Sequence, residues 1–280
     1  MAVGSGIAAQ FGIAAEAVFG TFVAPTRFYR VNKFEIKKKK TVVQGGGLAA
    51  GQFAQPGALR VVVGEAADGS VEIEVPNKGL GLLLAHAFGS TPTLTQQGAT
   101  AAWMQTVTIA DNIGKFLSLQ GGVPNRAGTV VPIAGLGSKV SSIEFSCDRG
   151  GLLTCTVEFD ARQESEATTL AMASFTETGN FSFKDLTVKL GSTIGVATAV
   201  SGVKKVSLKI ERGMDDEGFY AGSAGLKAEQ VMNEWIKVSG SIDADFLDAG
   251  YALAIEQLLG ANAVRAHAGR IHDDLGHLHD

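Results

Sequence analysis

Cysteine, proline and aromatic residues are all scarce in this chain of 280 residues. Its two cysteines cannot build a disulfide framework, and a reducing compartment is the default expectation. Six prolines against 36 glycines favour tight turns between short strands over a disordered tract. The formal net charge of −4 provides no general attraction to nucleic acid.

The chain also lacks a secretion signal and a long apolar run. Residues 1–12 have neither a basic region nor a long apolar core, which argues against a signal peptide. The longest apolar stretch, residues 80–88, is far too short to span a bilayer. We therefore expect no membrane insertion by this chain.

No arrangement typical of an enzyme or a metal site is found. Residues 4–9 imitate a dinucleotide-binding fingerprint, but no strand can precede them so close to the N-terminus. Four of the five histidines lie after residue 260, and their spacing does not suit helical metal ligands. Both cysteines are interpreted as core residues of a hairpin in which Cys155 lies opposite Phe145. We expect no catalytic residue, cofactor or metal, and hence no enzyme.

The chain does contain a series of strand patterns. Residues 70–75 alternate apolar and acidic, so that Glu72 and Glu74 point away from the core. Residues 241–246 alternate in the same way, with Asp243 and Asp245 on the outer side. Helices that end at a glycine are predicted over 77–88, capped by Asn77, and over 248–259. Glu144, Glu158 and Asp160 are also assigned to outer faces. The acidic outer faces are explained either by solvation or by a concave wall that repels DNA.

An internal repeat relates the two halves. Residues 69–89 align with residues 240–260 without a gap, through Gly-Ser, an alternating strand, a cap, an apolar helix and a final glycine. With a slip of one residue the match extends upstream, where Phe34 falls on Val206. Such a period predicts tandem copies of one fold unit.

We predict a mainly β fold: β-sandwich or barrel units with a flanking helix each, in two tandem related units of which the second is shorter. The predicted divisions are an N-terminal arm (1–26), a first β domain (27–162), a linker (163–180), a second, shorter β domain (181–260) and a C-terminal tail (261–280). The strands of the second unit are either completed by another subunit or belong to a smaller domain.

Two segments between strands stand out. Residues 44–57 are rich in glycine, alanine and glutamine and are interpreted as a long loop or flexible hairpin. Residues 37–40 are four consecutive lysines without interleaved aromatics. We interpret this basic run as a solvated or inter-subunit face, with phosphate contact as the alternative.

These residues resemble a known family. The N-terminus carries GIAAQFGIAAE at residues 6–16, FGT at 19–21 and PTRF at 25–28. A second stretch reads PNKGLGLL at residues 76–83 and AFG at 87–89. Both resemble tail tube (major tail) proteins of long-tailed bacteriophages. The resemblance covers most of residues 4–260, and the last 20 residues depart from it.

The resemblance implies a structural virion protein. Such proteins form rings that stack into a hollow tail tube, a conduit for genome delivery into the host bacterium. The implied partners are further copies of this chain, in a ring of three duplicated or six subunits, with tape measure and tail terminator proteins. DNA would pass transiently without sequence-specific binding. The implied location is the virion tail, with assembly in the host cytoplasm.

The resemblance also assigns roles to residues. The acidic side chains expected to face the lumen are Glu72, Glu74, Asp243 and Asp245. The residues expected to contact neighbouring rings, from the arm and the long loop, are Phe11, Phe19, Gln44, Leu48 and Phe53. The alternative function is a surface- or carbohydrate-binding β-sandwich module. That function predicts clustered surface aromatics, whereas the sequence holds two tryptophans and three tyrosines.

Overall fold

A computed structural model describes residues 6–47, 50–100, 102–176, 179–190, 197–215 and 217–245. The strands are β1 (Gln10–Glu16), β2 (Arg27–Tyr29), β3 (Val31–Gln44), β4 (Arg60–Glu74), β5 (Thr93–Gln96), β6 (Trp103–Thr106), β7 (Phe116–Pro124), β8 (Val130–Asp148), β9 (Thr154–Ala161), β10 (Gln163–Ser165), β11 (Lys189–Leu190), β12 (Thr198–Ala199), β13 (Val203–Glu211) and β14 (Lys237–Ala244). The helices are α1 (Gly81–Phe88) and the 3-10 turns Gly6–Ala8, Gly57–Leu59 and Phe183–Asp185. The predicted mainly β class is confirmed.

Ten of these strands form one curled antiparallel sheet centred on β8. β8 is 19 residues long. Its first half pairs with β7 and β10, and its second half with β9 and β13. One side of the sheet therefore has the order β2-β1-β7-β8 with β10 added, and the other has the order β14-β13-β8-β9-β4-β3. We call the second side the six-stranded layer.

The core lies between the two sides of this curled sheet. β1 and β7 contribute one wall, β4, β8 and β9 the other, and α1 closes the end. Its most enclosed side chains include Phe11, Ile13, Ile73, Leu83, Leu117 and Val157. Cys155 lies opposite Phe145 as predicted, and Cys147 and Cys155 are both buried and free.

The helix ends where the sequence predicts but begins later. Gly89 has a φ of 78°, and a Cβ there would lie 2.3 Å from the carbonyl oxygen of Ala110, so only glycine fits. At the other end α1 starts at Gly81 without a side-chain cap. The predicted cap at Asn77 is wrong, because the helix begins four residues later and Leu80 occupies its N-cap position.

The N-terminal segment lies inside the sheet of its own chain. β1 is flanked by β2 and β7, and its side chains Phe11 and Ile13 are in the core. Gly12 allows this close packing, since a Cβ there would come within 2.8 Å of Pro25 and Phe28. The sequence interpretation as an arm did not anticipate this strand.

The segment predicted as a linker also makes specific contacts. Residues 163–165 form β10, and the side chain of Gln120 holds the backbone of Thr169 and Ala171. Beyond it, β13 pairs with β8, so strands from both sides of the predicted linker share one sheet. The division into domains stays a prediction. The predicted helix 248–259, Phe246 and the tail lie outside the described residues.

Candidate functional site

One face of the six-stranded layer packs on the core, and the other carries polar side chains. Because side chains alternate along a strand, the residues between the buried ones share this second face. We call it the polar face. Its side chains are Lys33, Glu35, Lys37 and Lys39 (β3); Asp68, Ser70, Glu72 and Glu74 (β4); Thr154, Thr156, Glu158 and Asp160 (β9); Ser142, Glu144, Ser146 and Asp148 (β8); Lys205, Ser207, Lys209 and Glu211 (β13); and Lys237, Ser239, Ser241 and Asp243 (β14).

Charge on the polar face is arranged in bands. The charged side chains in this set on β4, β8 and β9 are acidic, and the lysines lie on β3, β13 and β14. The exception beside the set is the buried Lys139 of β8, which lies opposite Asp160. The predicted residues Glu72 and Glu74 belong to the acidic band. Asp243 lies on β14 among the lysines, and Asp245 follows that strand and contacts Lys204. The structure thus brings two of the four predicted acids together and places the other two at the edge.

The lysine run on β3 is neutralised by neighbouring carboxylates. Its pairs are Lys37 with Glu35 (2.8 Å), Lys38 and Lys40 with Glu65 (3.4 and 3.5 Å), and Lys39 with Asp68. A run whose charges are paired in this way offers little free positive charge to a phosphate. This favours the solvated or inter-subunit interpretation over phosphate contact.

A groove of about 690 Å³ lies on the polar face between β3 and the segment that follows β13. Its lining mixes charges of both signs, and at one end Lys227 donates to Asp160 at 2.6 Å. In the described ranges no cluster of three or more histidine, cysteine or acidic side chains could hold a metal ion. The lining of the groove is therefore neither mainly positive nor mainly negative, and its charge does not indicate a site for a charged ligand.

The six-stranded layer ends in two edge strands, β3 and β14. Within the part of the chain that the structure describes, β3 pairs only with β4, and β14 only with β13. Every pairing in the layer is antiparallel, so the first and last of the six strands run in opposite directions. Unpaired edges of this length invite pairing with another chain.

The hairpin of β3 and β4 projects beyond the rest of the layer. β9 pairs with β4 only as far as Ala67, and the Glu65 N–H then donates to the Gly225 carbonyl at 2.7 Å. Past this contact the two strands continue as a hairpin. The projecting part exposes a group of valines, namely Val43 (52%), Val61 (56%), Val62 (47%) and Val63 (49%). An apolar hairpin of two strands is marginal in water, so this one is suited to burial against another surface.

The predicted inter-ring residues fall into two groups. Phe53 is fully exposed in the loop at the end of the projecting hairpin, and Gln44 is exposed at the end of β3. Phe11 is 1% exposed in the core, and Phe19 packs against Phe116. The side chains of Phe11 and Phe19 are thus used within the chain. Leu48 lies outside the described residues.

The structure also has charged groups that sequence reasoning missed. The ammonium of Lys139, with no exposed side-chain surface, donates to the Gln230 carbonyl and pairs with Glu229, both at 2.7 Å. Burial lowers the pKa of Lys139, and the hydrogen bond that Lys139 donates to Glu229 opposes that shift. Arg212 is also buried and donates to the carbonyls of Ala87 and Ala110. A lysine or arginine on a strand carries no sequence signal of burial.

Among the described residues, aromatic side chains do not form a surface cluster of the kind a carbohydrate site uses. Trp103 on β6 and Trp235 before β14 are both exposed. The ring-to-ring contacts in the described part of the chain are between phenylalanines. Nor does any helix in the described ranges have the length and apolar character needed to cross a membrane.

Comparison with known proteins adds one match. The model of a family described as "Phage tail tube protein" matches residues 6–267, nearly the whole chain. A search of curated proteins finds no match.

Proposed function

We infer the function from the premise that this chain belongs to the phage tail tube protein family, and we propose that its copies form rings that stack into the tube. A structural role in the phage tail follows from the family itself, whose members are generally not enzymes. The observation that carries the ring is the six-stranded antiparallel layer with an unpaired strand at each end of its described part.

Ring formation follows from the two edges. Because β3 and β14 run in opposite directions, layers of neighbouring copies can continue edge to edge while every pairing stays antiparallel. Each contact would join the β3 edge of one copy to the β14 edge of the next. Contacts of this head-to-tail kind close into a ring when the rotation between neighbouring copies divides a full turn evenly. Closure buries the backbone groups of both edges, which open sheets must otherwise protect.

Strand number favours three copies in the ring over six. Six strands per copy in the described ranges set a minimum of 36 strands for six copies and 18 for three. With strands about 4.8 Å apart and tilted by about 40°, a closed barrel of 36 strands has a diameter of roughly 70 Å, and one of 18 strands has a diameter of roughly 35 Å. Side chains fill about 5 Å on each side of the lumen. Three copies therefore leave an inner diameter of roughly 25 Å, which is enough for a DNA duplex about 20 Å wide.

The polar face is the proposed lining of the tube. Its central band of carboxylates, including Glu72 and Glu74, repels the phosphates of DNA and opposes binding to the wall. Asp243 and Asp245 would add acidic charge near the lysines of the edge. A wall of this kind lets the genome pass into the host bacterium without sequence-specific contacts.

The projecting hairpin is the proposed contact between rings. Val61 and Val63, with Phe53 at its tip, would be buried against the next ring, and Gln44 lies at the end of β3 in the same hairpin. Leu48 is proposed for this contact from the sequence alone. At the two ends of the tube, the surfaces used for stacking would face other tail proteins, such as the tape measure and tail terminator. Assembly is proposed to occur in the host cytoplasm, before the tail joins the virion.

Electron microscopy of the purified full chain tests the tube. We expect rings or tubes at high protein concentration, with a three-fold mass in native mass spectrometry. Small monodisperse particles at every concentration would count against the proposal.

Charge reversal tests the lining. Tubes that carry Glu72→Lys, Glu74→Lys, Asp243→Lys and Asp245→Lys should form but deliver DNA more slowly, because the wall then attracts phosphate. The control is Glu166→Lys, an exposed acid outside the polar face. Infectivity equal to that of the control would remove the lumen assignment.

A further inference from the structure

The segment between β13 and β14, residues 212–236, lies over one end of the polar face, and we call it the connection. Phe219 and Lys227 of the connection lie opposite each other in an antiparallel bridge, so their side chains point to the same side. Lys227 pairs with Asp160 of the polar face at 2.6 Å. The side chain of Phe219 therefore also points onto the polar face.

Phe219 covers a position of the polar face that has no side chain of its own. A Cβ placed on Gly64 of β4 would lie 3.5 Å from the Phe219 ring and 3.6 Å from the Cβ of Thr41. Thr41 lies opposite Gly64 and two residues after Lys39, so both positions continue the polar face. The Phe219 ring thus occupies the space that a side chain at Gly64 would fill.

Tyr220 points the other way. Because adjacent side chains of an extended chain point to opposite sides, Tyr220 points away from the layer, and 66% of it is exposed. The backbone on both sides of it is held in place. The N–H of Glu65 donates to the Gly225 carbonyl at 2.7 Å, and the N–H of Ala228 donates to the Gly218 carbonyl at 2.8 Å. Tyr220 is therefore fixed in front of the polar face.

The tip of the connection, residues 217–226, carries little charge. Its sequence EGFYAGSAGL has one acid and no base, so it does not attract phosphate. A DNA duplex also keeps its bases stacked inside the helix, where they offer no face to Tyr220. An exposed tyrosine among small residues is instead suited to the apolar side chains of a polypeptide. The tip thus differs from the acidic band both in charge and in the partner that it fits.

We propose that this tip is a neutral aromatic collar inside the tube, where Tyr220 contacts apolar side chains of a protein that occupies the lumen. The collar rests on the proposed function, in which the polar face lines the tube. It adds to that function a contact for protein beside a wall that repels DNA.

Thiol labelling of assembled tubes tests the position of Tyr220. Cys147 and Cys155 are buried, so a new thiol can be followed by its reaction with maleimides. In tubes of Tyr220→Cys, N-ethylmaleimide should react, whereas a maleimide attached to a folded protein wider than the lumen should not. Before assembly, both reagents should react with this variant. Glu72→Cys is the reference for the lining, and Glu166→Cys, outside the polar face, is the reference for the outer surface.

The references separate the collar from the proposed function. If the large reagent labels Tyr220→Cys in tubes but not Glu72→Cys, the collar is wrong and the lining stands. A thiol at this position that neither reagent reaches in tubes would also overturn the collar. If the large reagent labels Glu72→Cys, or if the wild-type chain never forms tubes, the proposed lining fails as well. Ala221→Cys, an exposed position of the same tip, takes the place of Tyr220→Cys if that variant does not assemble.

Photo-cross-linking identifies what Tyr220 contacts. Complete tails with p-benzoylphenylalanine in place of Tyr220 are purified and irradiated before DNA is released. We expect cross-links to a protein other than this chain, several-fold above those from the same probe at Glu166, and their loss after the DNA has passed. Cross-links confined to DNA or to copies of this chain would overturn the contact.

Discussion

The two hairpins that the repeat relates share a register but end differently. The first consists of strands of 14 and 15 residues and runs past its neighbour β9 into an exposed apolar tip. The second has strands of 9 and 8 residues, and the connection over residues 212–236 folds back on the chain. One hairpin end is therefore exposed, whereas the connection at the end of the other packs within the subunit.

Buried lysines hold the connection at the end of the second hairpin against the rest of the subunit. Lys139 binds Gln230 and Glu229 of the connection, and Lys227 of the connection binds Asp160. In the first hairpin, Lys37, Lys38 and Lys40 pair with carboxylates nearer the surface. Whether a hairpin end stays packed on its own subunit thus depends on where its charges are paired. Breaking a buried ion pair costs much more free energy than breaking an exposed one.

Exchanging the connection for a short turn should have the largest effect. Replacement of residues 213–235 by Asn-Gly removes Glu229 from Lys139 and Lys227 from Asp160. Each broken buried pair costs about 3–5 kcal/mol, against a typical total of about 5–15 kcal/mol, so the chain should fail to fold. The matched control replaces residues 46–56 of the first hairpin by Asn-Gly and should keep a cooperative thermal transition. Equal stability of the two variants would contradict the claim that only the second hairpin's connection stabilises the subunit.

Arg212 anchors the start of the connection to the helix of the first half. Arg212→Met should lower the free energy of unfolding by about 3 kcal/mol, because the carbonyls of Ala87 and Ala110 lose their donor in a buried site. Urea unfolding of the monomer measures this. Arg149→Met, in the exposed turn after β8, is the control and should change stability by less than about 0.5 kcal/mol. Equal losses in both variants would contradict the anchor.

The exposed valines of the first hairpin should matter only for assembly. Val61→Asp with Val63→Asp should leave urea unfolding of the monomer within about 0.5 kcal/mol of wild type, because these side chains are about half exposed. The same variant should give isolated rings where the wild type gives tubes, as seen by electron microscopy. Val123→Asp, on β7, is the control. Long tubes from the double variant would remove the hairpin from the contact between rings.

The smallest effect is expected from His86 of α1, whose repeat equivalent in the sequence is Gln257. Burial lowers the pKa of His86 below 6.5, although its contact with the Leu82 carbonyl opposes the shift. The unfolded chain therefore binds the proton more readily, so stability is full above about pH 6.5 and falls as the pH drops through the folded pKa. In His86→Gln this loss between pH 7 and 5 should shrink, as measured by urea unfolding. An unchanged pH profile would contradict the assignment.

Local patterns in the sequence predicted much of this comparison. The alternation over 70–75 placed Val71 and Ile73 in the core, Gly89 marked the end of α1, and Cys155 was matched to Phe145. The strand pairing of both hairpins also agrees with the repeat. These features follow from periodicity and turn chemistry, which act over a few residues.

Other features could not be predicted in this way. β1 was interpreted as part of an arm, because its small residues show no clear strand pattern on their own. They form a strand only where they pair with β2 and β7. The acidic outer faces of β4, β8 and β9 were visible in the sequence, but their union into one band depends on the pairing of β4 with β9.

By itself, then, the sequence determined the strands' inner and outer faces, the glycine that ends the helix and the repeat of the two hairpins. The tertiary structure alone decided that β13 lies against β8, that lysines and an arginine hold the second connection, and that β3 is left at an edge. The physical reason is range. Side-chain periodicity is a property of neighbouring residues, whereas strand partners and buried ion pairs are chosen between segments far apart in the chain.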